Sequence, residues 1–178
     1  MAHVLDMIRD EHISMSRLLA RLERQIELFE DGLAADYLLM NEIIEYFLTF
    51  PDLFHHPKEQ LILAKLRQRA PELARRVGDL DAEHATVSEE LHRFAHVLAN
   101  LLLEVEMPRD RFAKLARVFI EQERKHMSDE EALFLPAARA GLTEEDWDDI
   151  AARTLTVRDP LLDRAKLRFA LIRDEECE

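Results

Sequence analysis

Cysteine is almost missing from this chain. Its one thiol, Cys177, stands next to the last residue, which rules out an internal disulfide and makes thiolate ligation a poor expectation. Glycine and proline are scarce too, three and six among 178 residues, while Leu, Ala, Glu and Arg abound, so helices are favoured over strands. Positive charge is in deficit: 24 Lys and Arg face 37 Asp and Glu, a formal net charge of −13. That balance argues against nucleic acid and against an anionic membrane surface, both of which need a basic face. Long apolar runs are lacking as well. The longest, Phe94 to Leu103, is broken by His96 and Asn100 and is far too short to span a bilayer. The opening Met1-Ala2-His3-Val4-Leu5-Asp6 has no basic-then-apolar signal pattern, so a cytoplasmic protein is expected.

What the sequence does contain is helical periodicity. Leu5, Ile8, His12, Met15, Leu19, Leu22, Ile26 and Phe29 recur at alternating spacings of three and four, the seam of a long bundle helix ending near Asp31-Gly32. A second helix starts near Asp36 and carries Ile44, Phe47, His55, Glu59, Ile62 and Leu66; Pro51 and Pro57 predict a kink or short break between Phe50 and Pro57. Pro71 suits the first turn of a third helix, with Val77, Leu80, His84, Val87, Leu91, Phe94, Leu98 and Val105 along its stripe. Pro108 opens a fourth, through Phe112, Leu115, Phe119, His126 and Leu133, and Pro136 is expected to stop it. The expected fold is all-α, an antiparallel up-down four-helix bundle over 1–140. A C-terminal extension over 141–178, one or two short helices, is expected to pack on it: Thr143 caps a helix with Trp147 and Ile150, and an amphipathic segment from Leu161 to Ile172 follows.

Short turns let position along the bundle axis be counted from the sequence, at about 1.5 Å per residue. His12 and His55 lie about 20 residues before and about 23 after a first turn near residue 32. His55 and His84 lie about 15 before and about 14 after a second turn near residue 70. His84 and His126 lie about 22 before and about 20 after a third near residue 106. All four therefore share one layer. Two of them have a glutamate one turn on, His55-x-x-x-Glu59 and His126-x-x-x-Glu130, so imidazole and carboxylate share a helix face. One such histidine alone is more often an ordinary core or boundary residue. Four imidazoles and two carboxylates converging on an apolar interior are costly unless something binds them, and a metal is what satisfies so many donors. His3, His92 and His96 fall on the wrong face or at the wrong height, and His56 is rotated away from His55; these are read as surface or supporting groups.

Mixed nitrogen and oxygen donors disfavour copper(I) and calcium, and six side chains are too many for one tetrahedral zinc. They suit two six-coordinate metals bridged by the two carboxylates, with iron the common occupant; mononuclear iron, manganese or zinc stays open as the alternative.

These residues resemble the bacterial hemerythrin-like (HHE cation-binding) domains. The resemblance is carried by Asp10-Glu11-His12, by His55-His56-Pro57-Lys58-Glu59, by Glu83-His84, and by the run from His126-Met127-Ser128-Asp129-Glu130 to Pro136, over roughly residues 3–140. It implies a four-helix bundle holding a non-haem, carboxylate-bridged pair of irons, with His12, His55, Glu59, His84, His126 and Glu130 as ligands. One departure stands out. Oxygen-carrying members have a fifth histidine one turn after the helix-three histidine, and here that position is Ser88. An extra exchangeable position, a water or a ligand from elsewhere is implied in its place.

The expected function is therefore binding of dioxygen, nitric oxide or peroxide at an open iron position, for sensing, storage or stress response. Met15, Val87, Phe119 and Leu133, one turn from ligands, are candidates for the apolar wall around it. Two alternatives stay open: an iron-handling or regulatory interaction protein, and a di-iron peroxidase or oxidase. No general acid or base stands out, which leans away from an enzyme. A ferritin-like ligand set built on Glu89-x-x-His92 and Glu123-x-x-His126 is rejected, because the two histidines differ in height by ~9 Å. The apolar face of the last segment (Leu161, Leu162, Leu167, Phe169, Ile172) is expected to cover the bundle, with a homodimer through it as the alternative.

Overall fold

The computed structural model describes residues 2–103, 105 and 108–156. The amphipathic segment from Leu161 to Ile172, with the dimer contact read from it, Cys177 and the side chain of His3 lie outside the described residues. Those described form helices and turns, with no strand among them. No helix among them is long and apolar enough to cross a membrane.

The first bundle helix, α1 (Ala2–Glu30), ends as the sequence suggests. Gly32 takes φ 75°, and Gly32 N–H and Leu33 N–H bond back to the carbonyls of Phe29 and Leu28 at 3.1 and 2.9 Å, the paired bonds that close a helix C-terminus. Asp36 caps α2 (Tyr37–Phe47), accepting from Leu39 N–H at 2.9 Å. A turn at Leu48 and Thr49 follows, then one π-helical turn, Pro51–His55, and α3 (His56–Arg69). Pro51 and Pro57 each sit in the first turn of the segment they open, where a missing N–H costs nothing.

The third rod differs from expectation. Pro71 opens a short separate helix, α4 (Pro71–Val77), and Gly78 at φ 92° breaks the chain before α5 (Leu80–Leu102), which Asp79 caps. No L side chain adopts that φ comfortably, so the break is written in the glycine and not in the apolar stripe that runs through it. The fourth rod differs too. It does not stop at Pro136: α6 (Arg109–Asp129) passes through a second π turn, Glu130–Phe134, into α7 (Leu135–Gly141). Pro136 falls in the first turn of α7, where its lack of a donor is tolerated. Thr143 and Asp146 then cap one another before α8 (Glu144–Thr156), with Asp146 accepting from Thr143 N–H and Oγ1 at 3.1 and 2.8 Å.

In the bundle α1 lies against α2 and α6, and α5 against α2 and α6, while α8 packs on α1 and α3. The interior divides in two. One apolar cluster contains Met15, Leu19, Leu22, Ile26, Phe29, Phe47, Val87, Phe94, Phe112 and Phe119. The other contains Leu5, Ile8, Ile62, Leu66, Leu80, Phe134, Trp147 and Ile150. On every rod the chain passes from one cluster to the other through the expected histidines and glutamates: Ile8, His12, Met15 on α1, and Leu80, His84, Val87 on α5.

Candidate metal centre

All six residues singled out from the sequence meet between the two apolar clusters. His12, His55, Glu59, His126 and Glu130 are buried, and His84 nearly so at 11% side-chain exposure. His12 and His55 bring their Nε2 atoms to 3.1 Å. Glu59 points one oxygen at His55 Nε2 (3.1 Å) and the other at His84 Nε2 (3.3 Å). Glu130 does the same in reverse, with Oε2 at 3.2 Å from His12 Nε2 and Oε1 at 3.2 Å from His126 Nε2 and 3.5 Å from His84 Nε2. Each carboxylate thus spans the gap between a His12/His55 side and a His84/His126 side.

The donors are held for something other than one another. Among the described residues, the buried side-chain polar atoms without a hydrogen-bond partner are both oxygens of Glu59, both of Glu130, Nε2 of His84 and of His126, and one distant atom, Trp147 Nε1. Native proteins rarely leave such atoms unpaired, since each costs about 1–3 kcal/mol. A set of imidazole nitrogens and carboxylate oxygens converging this way fits a first-row transition metal.

A ring of outer carboxylates fixes which nitrogen faces inward. His12 Nδ1 lies 3.0 Å from Glu131, His55 Nδ1 2.9 Å from Glu11, and His126 Nδ1 3.3 Å from Glu83. An ionised carboxylate only accepts, so each Nδ1 carries a hydrogen and each Nε2 is the nitrogen turned to the interior, available to a metal in place of a proton. Lys58 in turn holds Glu11 at 2.6 Å and donates to the Phe54 carbonyl at 2.5 Å. Sequence reasoning missed these acids although each adjoins an expected ligand. The reason is that they act across helices: Glu11, beside His12, orients His55, and Glu131, beside Glu130, orients His12.

Charge in this layer is strongly biased. Burial alone would depress His55, but Glu59 and Glu11 outweigh it and hold the imidazole at about 10. Burial opposes charge on His84 likewise, and Glu130 and Glu59 still raise it to about 9. Burial works to raise both glutamates, yet the facing imidazoles hold Glu59 and Glu130 below the usual carboxylate range. A pair of buried anions that draws protons onto its neighbours draws a metal cation by the same field.

Two further residues enter that the sequence did not place here. The sequence pattern turns His56 away from His55. Instead its ring stacks on His84, with centroids 3.7 Å apart and planes at 18°, and its Nδ1 meets Asp52 at 3.0 Å. The string Asp52-x-x-x-His56 was the signal available. Glu123, set aside with the ferritin-like pattern, is buried, and desolvation pushes its carboxyl up to about 7, with Glu130 adding to the rise against the pull of His55. A recess reaches the His56, His84 and His126 side between Phe47, Val87, Leu91 and Glu123. Met15, Val87 and Phe119 are buried beside the layer as expected, but Leu133 is 51% exposed and Phe134 faces inward in its stead. The π turn is the cause, since its wider winding shifts the inward position by one residue. His92 and His96 are exposed; His92 Nδ1 bonds the Ser88 carbonyl at 2.7 Å.

The family profile described as Hemerythrin HHE cation binding domain matches residues 3–138, which includes every residue of the polar layer. No curated protein and no solved structure matches the chain.

Proposed function

Since the chain belongs to the hemerythrin HHE cation binding domain family, we propose that it is a non-haem di-iron protein that takes up dioxygen, nitric oxide or peroxide at an open iron position, in sensing, storage or stress response. His12, His55, Glu59, His84, His126 and Glu130 are the proposed ligands. One observation carries the reading: each buried carboxylate sends one oxygen to the His12/His55 side and the other to the His84/His126 side. Two cations, one per side, with both carboxylates shared, would satisfy that arrangement.

When bound, the iron pair supplies redox chemistry and an exchangeable coordination position. The chain's own part is to hold and shield it. Glu11, Glu83 and Glu131 fix the imidazoles in the orientation that offers Nε2 inward. Met15, Val87 and Phe119 keep water from the apolar side. The test is metal content of protein purified in air from iron-replete cells, followed by an azide-dependent absorption band. Two irons per chain with such a band are expected; a single zinc, or no retained metal, defeats the reading.

Glu123 favours a second reading, peroxidase-type turnover. It is a buried carboxyl on the wall of the recess that keeps a proton to about neutral pH. Under that reading Glu123→Gln would keep azide binding and lose peroxide consumption; equal loss of both, or of neither, rejects it.

A further inference from the structure

We infer that His56 is a seventh ligand, oriented by Asp52, which joins His84 and His126 to make one side of the centre a three-imidazole site while the other keeps two. This rests on the two-metal reading above and adds to it a residue that the sequence pattern leaves as a surface or supporting group.

The cause lies in the backbone. The first π turn ends at His55 and α3 begins at His56, so two consecutive histidines both turn toward the interior. The His55 side chain is 1% exposed and that of His56 17%. One ring nitrogen from each of His56, His84 and His126 lies within 4.8 Å of the other two, close enough for a single cation to touch all three. A second group with the same closeness comprises His12, His55, Glu59 and Glu130. The residues therefore fall into two clusters, and His56 belongs to the cluster that otherwise has only two nitrogens.

The second support is orientation. His56 Nδ1 sits 3.0 Å from Asp52 Oδ1, the same outer-carboxylate arrangement that His12, His55 and His126 have with Glu131, Glu11 and Glu83. With Asp52 ionised, Nδ1 is the donor and the Nε2 lone pair is left over. The bland alternative is a surface histidine paired to a surface aspartate. Against it, the ring lies flat on His84, with centroids 3.7 Å apart, and lines the recess together with His84 and His126. With both carboxylates shared, the side of His12 and His55 would then offer four donors and the side of His56, His84 and His126 five.

The experiment is a titration of the metal-depleted full chain with Fe(II) under anaerobic conditions, or with Co(II), against a competing chelator. Wild type, His56→Ala, Asp52→Asn and the control His92→Ala would be compared. Wild type and the control should hold two metals. His56→Ala should hold one as tightly as wild type and bind the second at least about ten-fold more weakly, with Asp52→Asn weaker in the same direction by a smaller factor. Two metals held with unchanged affinity in His56→Ala would overturn the inference and leave the six-ligand centre standing. Fewer than two metals in wild type would overturn the two-metal reading and the inference with it. Should His56→Ala fail to fold by circular dichroism, Asp52→Asn decides: a weakened second metal supports a ligand role, and unchanged affinity ends it.

Discussion

Two neighbouring layers of one bundle are crossed by the same rods and filled by opposite means. In the upper layer the helices meet through rings: Phe29 and Phe112 at 4.8 Å, Phe94 and Phe112 at 5.4 Å, Phe47 and Phe119 at 5.4 Å. In the layer below, they meet through imidazoles and carboxylates, and the inward atoms of Glu59, Glu130, His84 and His126 lack hydrogen-bond partners. Phenylalanine packing is complete in itself, because apolar burial stabilises without any further component. The polar layer keeps unpaired buried atoms that cations would satisfy. The apolar clusters on both sides therefore carry the fold, which lets the layer between them remain chemically unsatisfied until it is loaded.

Removing either carboxylate that spans the layer gives the largest expected effect. Glu59→Ala or Glu130→Ala should abolish retention of two metals in an elemental analysis while the helical circular dichroism persists; retention of both would show that these carboxylates are not shared.

Next comes the response to pH, where protons stand in for metal. His55 and His84 are held at about 10 and about 9, above the ordinary imidazole value of 6.5. A raised value means the folded chain keeps protons that the unfolded chain releases. Stability from that source is full below about pH 6.5 and is lost as pH rises through 9 to 10. Chelator-treated protein should lose stability across that window, by up to about 1.4 kcal/mol per pH unit for each imidazole. Loaded protein should not, since a metal there has already displaced the protons. Parallel denaturation curves for the two forms would contradict this.

Phe112→Ala probes the upper layer and should cost ~3–5 kcal/mol by denaturant unfolding, by the same amount with and without metal. A cost that depended on metal would mean the layers are coupled. Smallest of all, Leu133→Ala should shift stability by no more than ~0.5 kcal/mol and leave metal content unchanged, because that side chain is half exposed.

The sequence revealed the layer itself. Regular three-four spacing fixed the inward face of α1, and counting residues from short turns brought His12, His55, His84 and His126 to one height. It did not reveal the π turns, because a change from i+4 to i+5 bonding is a choice of the folded backbone that leaves no mark in composition or hydrophobic period. The misreadings of Pro136, Leu133 and His56 follow from that. Pro136 looks like a stop only if the preceding turn is an ordinary α turn. Leu133 looks inward only if no extra residue intervenes, and His56 looks sideways only if it shares one unbroken α-helix with His55. The break at Gly78 was hidden for another reason: the apolar stripe runs through it unbroken, and only the φ of 92° separates α4 from α5.

The π turn at Pro51–His55 also decides which kinds of mutation this segment can absorb. Leu53 is half exposed, so most side chains should be acceptable there. Its deletion should be absorbed as well, since a π turn holds one residue more than an α turn and can close as one without turning α3. No such slack exists between His55 and Glu59, where losing a residue would turn Glu59 by about 100° out of the layer. The length of the chain is therefore free on one side of His55 and fixed on the other.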